Sequence, residues 1–141
     1  MSADQGGTFE VPPAEALFAM HAELLALYGG SEGIRDAGAL DAALARPHQL
    51  LAYGDSSASV PQLAAAVAFS ICRIRHPFTD GNKRVAFAAL VVSLDLNGLL
   101  LDVSETNAAD IMLSVAAGGM SENAFAAWVA ANTCPKDADD N

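Results

Sequence analysis

The chain has 141 residues, 52% of them hydrophobic and 17% charged, and a formal net charge of −10. That much apolar content excludes a disordered chain, and the length fits one domain with a sizeable core. The acidic balance argues against direct binding to nucleic-acid backbones, which calls for a basic face.

In chain order, residues 1–8 read as a disordered N-terminus, 9–133 as one domain, and 134–141 as an acidic disordered tail. Pro12 and Pro13 open a first helix that runs to Tyr28. Leu17, Met20, Leu24 and Leu27 recur at helical spacing and predict its buried stripe. His21 lies beside that stripe, with no second residue spaced to make it a metal ligand. Gly29 and Gly30 stop the helix. Asp36 is expected to cap a short helix over Ala37–Ala45, with Arg35 beside it as an ion-pair partner. Residues 47–61, from Pro47 to Pro61, read as a long connector with a turn at 54–57.

An alanine-rich helix is predicted from Leu63 to Arg75, and a nearly continuous apolar one over Val85–Leu96. The second reads as the central helix, buried on most sides. Asn97 and Gly98 end it, and residues 99–103 form a short extended link. Ser104 and Ser121 are expected to cap the last two helices, which end near Ala116 and Asn132. Cys72 reads as a buried small hydrophobe and Cys134 as exposed; their spacing suits no metal. No basic region precedes an apolar core at the N-terminus. The longest apolar runs are too short to span a membrane. A cytoplasmic protein with no membrane partner is therefore expected.

The chemistry gathers at His76-Pro77-Phe78-Thr79-Asp80-Gly81-Asn82-Lys83-Arg84. Pro77 cannot continue the preceding helix, Asp80 and Gly81 turn the chain, and a new helix starts near Asn82. The free N–H groups of a helix N-terminus bind anions, phosphates above all. Lys83 and Arg84 add full positive charge there, and Arg73 and Arg75 stand just before the motif. Asp80 is the type of ligand Mg²⁺ takes beside a polyphosphate, and His76 is a proton acceptor near neutral pH. A cradle, a metal ligand and a base are the parts of a nucleotide-dependent transferase. A capped helix start with a solvated charge pair would use the same residue types.

This stretch resembles the signature of the Fic/Doc family, His-x-Phe-x-Asp/Glu-Gly-Asn-x-x-Arg, matched by His76, Phe78, Asp80, Gly81, Asn82 and Arg84. It is most similar to the Doc (death-on-curing) branch, the toxin half of type II toxin–antitoxin pairs, whose motif ends Asn-Lys-Arg. Lys83 and Phe87 stand where the AMP-transferring branch has a second glycine and a second arginine. The likeness extends over residues 14–132, through Gly29-Gly30, Gly33-Ile34-Arg35-Asp36 and Asn97-Gly98. It implies an all-α Fic-fold bundle around a central buried helix, with a small flap or hairpin before the helix that leads into the motif. It also implies an enzyme that uses ATP and Mg²⁺ to move the γ-phosphoryl group onto a protein hydroxyl. The implied target is a threonine of elongation factor Tu, and a cognate antitoxin would neutralise the toxin.

By the same resemblance, His76 is the base, Asp80 holds the metal, and Lys83 and Arg84 stabilise developing charge. Gly81, Asn82, Lys83, Arg84 and Arg75 bind phosphate, and Leu50, Leu51 and Tyr53 are candidates for the target-binding flap, the alternative being that they simply cover the core. The branch often carries an arginine two residues before the histidine; here that position is Ile74. AMP transfer and a non-catalytic Fic-fold binding protein are the alternatives.

Overall fold

The computed structural model describes residues 8–136. Six α-helices carry the chain: α1 Ala14–Tyr28, α2 Ala37–Gln49, α3 Val60–Phe69, α4 Asn82–Leu96, α5 Glu105–Ala116 and α6 Glu122–Ala131. The architecture is all-α, as expected. Most boundaries are set by local chemistry. The side chains of Asp36, Ser59, Ser104 and Ser121 accept from N–H groups in the first turns of α2, α3, α5 and α6. Ser59 and Gln62 complete a reciprocal capping box.

The central helix is α3, not α4. Every residue from Leu63 to Cys72 is buried, and α2, α4 and α6 pack around this segment. Four alanines at 64, 65, 66 and 68 let these neighbours approach from several sides. Helix α4 buries one face through Val85, Ala86, Ala89, Leu90, Ser93 and Leu94, while Val91 and Leu96 are exposed. Helix α1 corrects the expected stripe as well. Leu27 is 73% exposed, whereas His21 is 6% exposed and takes a core position four residues after the fully buried Leu17.

The connector before α3 is mostly helical. Helix α2 continues through Pro47 to Gln49, and a π-helical turn covers Leu50–Gly54. The Leu50 N–H reaches the carbonyls of both Arg46 and Pro47, so the chain stays wound although Pro47 donates no hydrogen bond. No hairpin forms at this place; only residues 55–59 are open loop. The two short strands lie elsewhere. β1 Leu99–Leu101 pairs antiparallel with β2 Thr133–Pro135. The ordered domain thus passes residue 133. Lys136 joins it through its N–H to the Gly98 carbonyl and its ammonium to Asp95 at 3.0 Å. Of the ends expected to be loose, 1–8 and 134–141, residues 1–7 and 137–141 lie outside the described residues.

Candidate active site

The lead-in helix changes its winding before the motif. After Phe69 the backbone forms a π-helical turn over Ser70–Arg75, closed by the His76 N–H on the Ile71 carbonyl at 3.2 Å. His76 then takes a left-handed conformation, φ 47° and ψ 61°, the one positive φ of a non-glycine among the described residues. Such a conformation costs of order 1–3 kcal/mol and persists only where surroundings enforce it. The ring Nε2 lies 3.1 Å from the Arg73 carbonyl. A carbonyl only accepts, so Nε2 carries a hydrogen, and whenever the ring is neutral its lone pair is then on Nδ1.

The loop 77–81 is held from inside and outside. Inside, the Asn82 amide accepts from the Phe78 N–H at 3.0 Å and donates to the Phe78 carbonyl at 2.9 Å. The Asn82 side chain is therefore a clip for the loop. Outside, His21 stacks on the Phe78 ring, 3.9 Å between centroids, and donates from Nε2 to the Asp80 carbonyl at 2.8 Å. Phe78 itself is buried, edge-on to Phe18. Segment 33–36 runs beside the loop. Arg35 and Asp36 N–H groups reach the Pro77 carbonyl, and the Thr79 N–H reaches the Gly33 carbonyl. Gly81 takes a φ of 83°, which strains any residue with a Cβ; an added Cβ would otherwise meet only ordinary contacts, the His21 ring at 3.5 Å and Leu25 at 3.8 Å.

Asp80 is exposed, and its two oxygens accept from the Ser31 N–H at 3.1 Å and the Gly81 N–H at 2.8 Å. These bonds, Ser31 foremost, with Arg84 and Lys83 close by, hold the carboxyl below its ordinary range. A carboxylate has lone pairs to spare beyond two such bonds. Asp80 therefore fits as the single protein ligand that Mg²⁺ takes beside phosphates. Among the described residues no cluster of three metal-ligating side chains exists.

Beside Asp80, α4 begins at Asn82. The Gly81 N–H is taken by Asp80, while those of Asn82 and Lys83 have no acceptor among the described residues. Lys83 is exposed. Arg84 turns toward α1: its guanidinium donates to the Gly29 carbonyl at 3.2 Å and lies 5.3 Å from the Tyr28 ring centroid. Arg75 is exposed and Ile74 is 52% exposed. Leu50 and Leu51 are half-buried against the core, whereas Tyr53 is 89% exposed. A groove of about 520 Å³ between α1, α4 and α5 borders Lys83 and Arg84, lined by Leu24, Tyr28, Phe87, Val103, Ala108 and Met112.

Two residues around the motif escaped the sequence reading of their roles, His21 and Arg35. Arg35 makes no ion pair with Asp36. Its Nε donates to the His76 carbonyl at 2.8 Å and its Nη2 to the Arg75 carbonyl at 2.6 Å. Of the seven Lys and Arg, Arg46 pairs with Glu122 and Lys136 with Asp95; the other five surround the motif. A polar residue in register with Leu17 and Leu24 was the one sequence signal for His21. For Arg35 the signal was only its nearness to a capping aspartate.

A family model described as "Fic/DOC family" matches residues 12–94. Toxin Doc of Mycolicibacterium smegmatis (strain ATCC 700084 / mc(2)155) is 41% identical over 106 residues, 73% of this chain and 80% of that protein. Protein kinase doc of Escherichia phage P1 is 30% identical over 113 residues, 79% of this chain and 86% of that protein.

Proposed function

The chain belongs to the Fic/DOC family, and from that premise we propose that it is a Doc-type toxin that phosphorylates a protein hydroxyl with ATP. One observation carries this reading. Lys83 occupies the first turn of α4 where the AMP-transferring branch has glycine, and Phe87, packed on the core, brings no charge where that branch has arginine. The seat for ATP's outer phosphates is thus altered, which favours the γ-phosphate at the reactive position. The name of the phage relative, a protein kinase, agrees.

His76 accepts the proton of the target hydroxyl at Nδ1 as the oxygen bonds to the γ-phosphorus. The bond to the bridging oxygen breaks and ADP leaves with the electron pair. The Asn82 and Lys83 N–H groups and the Lys83 ammonium meet the charge of the transferring group. Asp80 holds Mg²⁺, which when bound neutralises phosphate charge. Arg84 and Arg75 extend the positive field; Arg84 reaches a phosphate by leaving Gly29 and Tyr28. Leu50, Leu51 and Tyr53 hold the target, with Tyr53 the freest of the three to do so.

The target proposed is a threonine of elongation factor Tu, in the cytoplasm, with arrest of translation and growth as the result. A cognate antitoxin segment, basic to suit this acidic chain and folding as it binds, would cover the site. Direct nucleic-acid binding is not part of this reading. No helix among the described residues is long and apolar enough to cross a membrane.

The test is incubation with elongation factor Tu and ATP labelled at the α- or the γ-phosphate. Label is expected from γ only, and its rate should fall by at least about 10²-fold in His76→Ala. Label from α would replace the reading with AMP transfer. No label from either, with a cell lysate also silent, would leave a binding protein.

A further inference from the structure

We propose that Arg35 is a positioning residue for the transfer: it fixes His76 in its left-handed conformation and thereby keeps Nδ1 as the free base. The role rests on the reading of His76 given above. The carbonyls of Arg75 and His76 end a helical segment, so neither has an onward intrahelical donor. Both are received by one guanidinium, at 2.6 and 2.8 Å. A positive charge there also suits the negative end of the helix dipole. Arg35 makes no ion pair among the described residues. Its own N–H is tied to the Pro77 carbonyl at 2.8 Å, so the side chain starts from a backbone that the motif loop itself fixes.

The consequence follows from the geometry of His76. The ring gives its Nε2 hydrogen to the Arg73 carbonyl only while the backbone at 76 holds φ near 47°. Relaxation to an ordinary helical or extended φ would swing the Cα–Cβ bond and break that contact. The ring would then sample both tautomers and several rotamers. The device lies outside the motif by 40 residues or more in sequence.

The experiment compares the full-length wild type with Arg35→Met, Arg35→Lys and His76→Ala. Ring nitrogens are observed by NMR on ¹⁵N-labelled protein, with His76→Ala assigning the His76 signals against those of His21 and His48. The wild type is expected to show His76 as the Nε2–H tautomer. Arg35→Met should give a mixture and lower kcat by about 10- to 100-fold, while KM for ATP stays within about twofold. Arg35→Lys, which keeps a charged donor, should recover part of kcat and of the tautomer preference. An unchanged tautomer in Arg35→Met overturns the proposal, whatever the rate does. So does a loss of kcat that only parallels lost stability, with no recovery in Arg35→Lys. If the wild type transfers nothing from the γ-phosphate, the phosphorylation reading falls, while the ring spectra still decide whether Arg35 positions His76.

Discussion

Helix α3 and the motif loop are joined through one short π-helical turn, yet they are held by different means. In α3 every residue from Leu63 to Phe69 is buried, most of them alanines, and stability comes from many small contacts with α2, α4 and α6. At the loop and the start of α4, Asp80, Lys83 and Arg84 are exposed, and the shape depends on a few hydrogen bonds from residues 40 to 59 positions away. A packed surface averages over its contacts and tolerates exchange of one apolar group for another of similar volume. A loop tied by single donors does not average. Each lost donor frees a specific carbonyl and shifts a specific side chain of the motif.

Phe78 belongs to both regions, so it tests the division most severely. Phe78→Ala should cost about 3–5 kcal/mol of stability and should also impair transfer, because His21 loses its stacking partner. Denaturant midpoints and transfer rates measured together would show it. Full activity in the folded fraction would mean the loop's bonds suffice without the core. Ala65→Leu lies wholly within the packed region. It should lower stability by about 1–3 kcal/mol through overpacking, with kcat and KM unchanged where the protein stays folded. A specific loss of kcat there would mean that α3 strain reaches His76.

The smallest effect is at Asp80. Its carboxyl titrates below the ordinary value because the folded state donates hydrogen bonds to the ionised form, first from Ser31. Its contribution to stability is therefore complete above the unfolded value of about 3.9. It is lost as pH falls through the lower folded value. Asp80→Asn should remove this increment, so stability falls slightly at pH 7, the two proteins converge as pH drops below about 4, and the acid limb of the melting curves is flatter in the variant. Transfer should fall sharply in the same variant, which separates the carboxylate's chemical role from its slight structural one.

Sequence alone carried the helical content, three of the four side-chain caps (Asp36, Ser104 and Ser121, but not Ser59), the ends of α1 and α4, and the motif with its family. Those features rest on interactions within about four residues, between side chain and nearby backbone, or on a periodicity that needs no partner. Only the tertiary structure decided which helix is central. Apolar richness marks both α3 and α4, but only alanine-lined α3 is enclosed by its neighbours, while α4 leaves Val91 and Leu96 in solvent. It also decided that residues 47–54 wind on as helix, that β1 finds its partner in residues 133–135, and that Arg84 turns to Gly29. The hydrogen-bond partners of His21 and Arg35 were not legible for the same reason. Their partners are backbone carbonyls, which every residue carries alike, so no sequence pattern can distinguish the ones that the fold brings near.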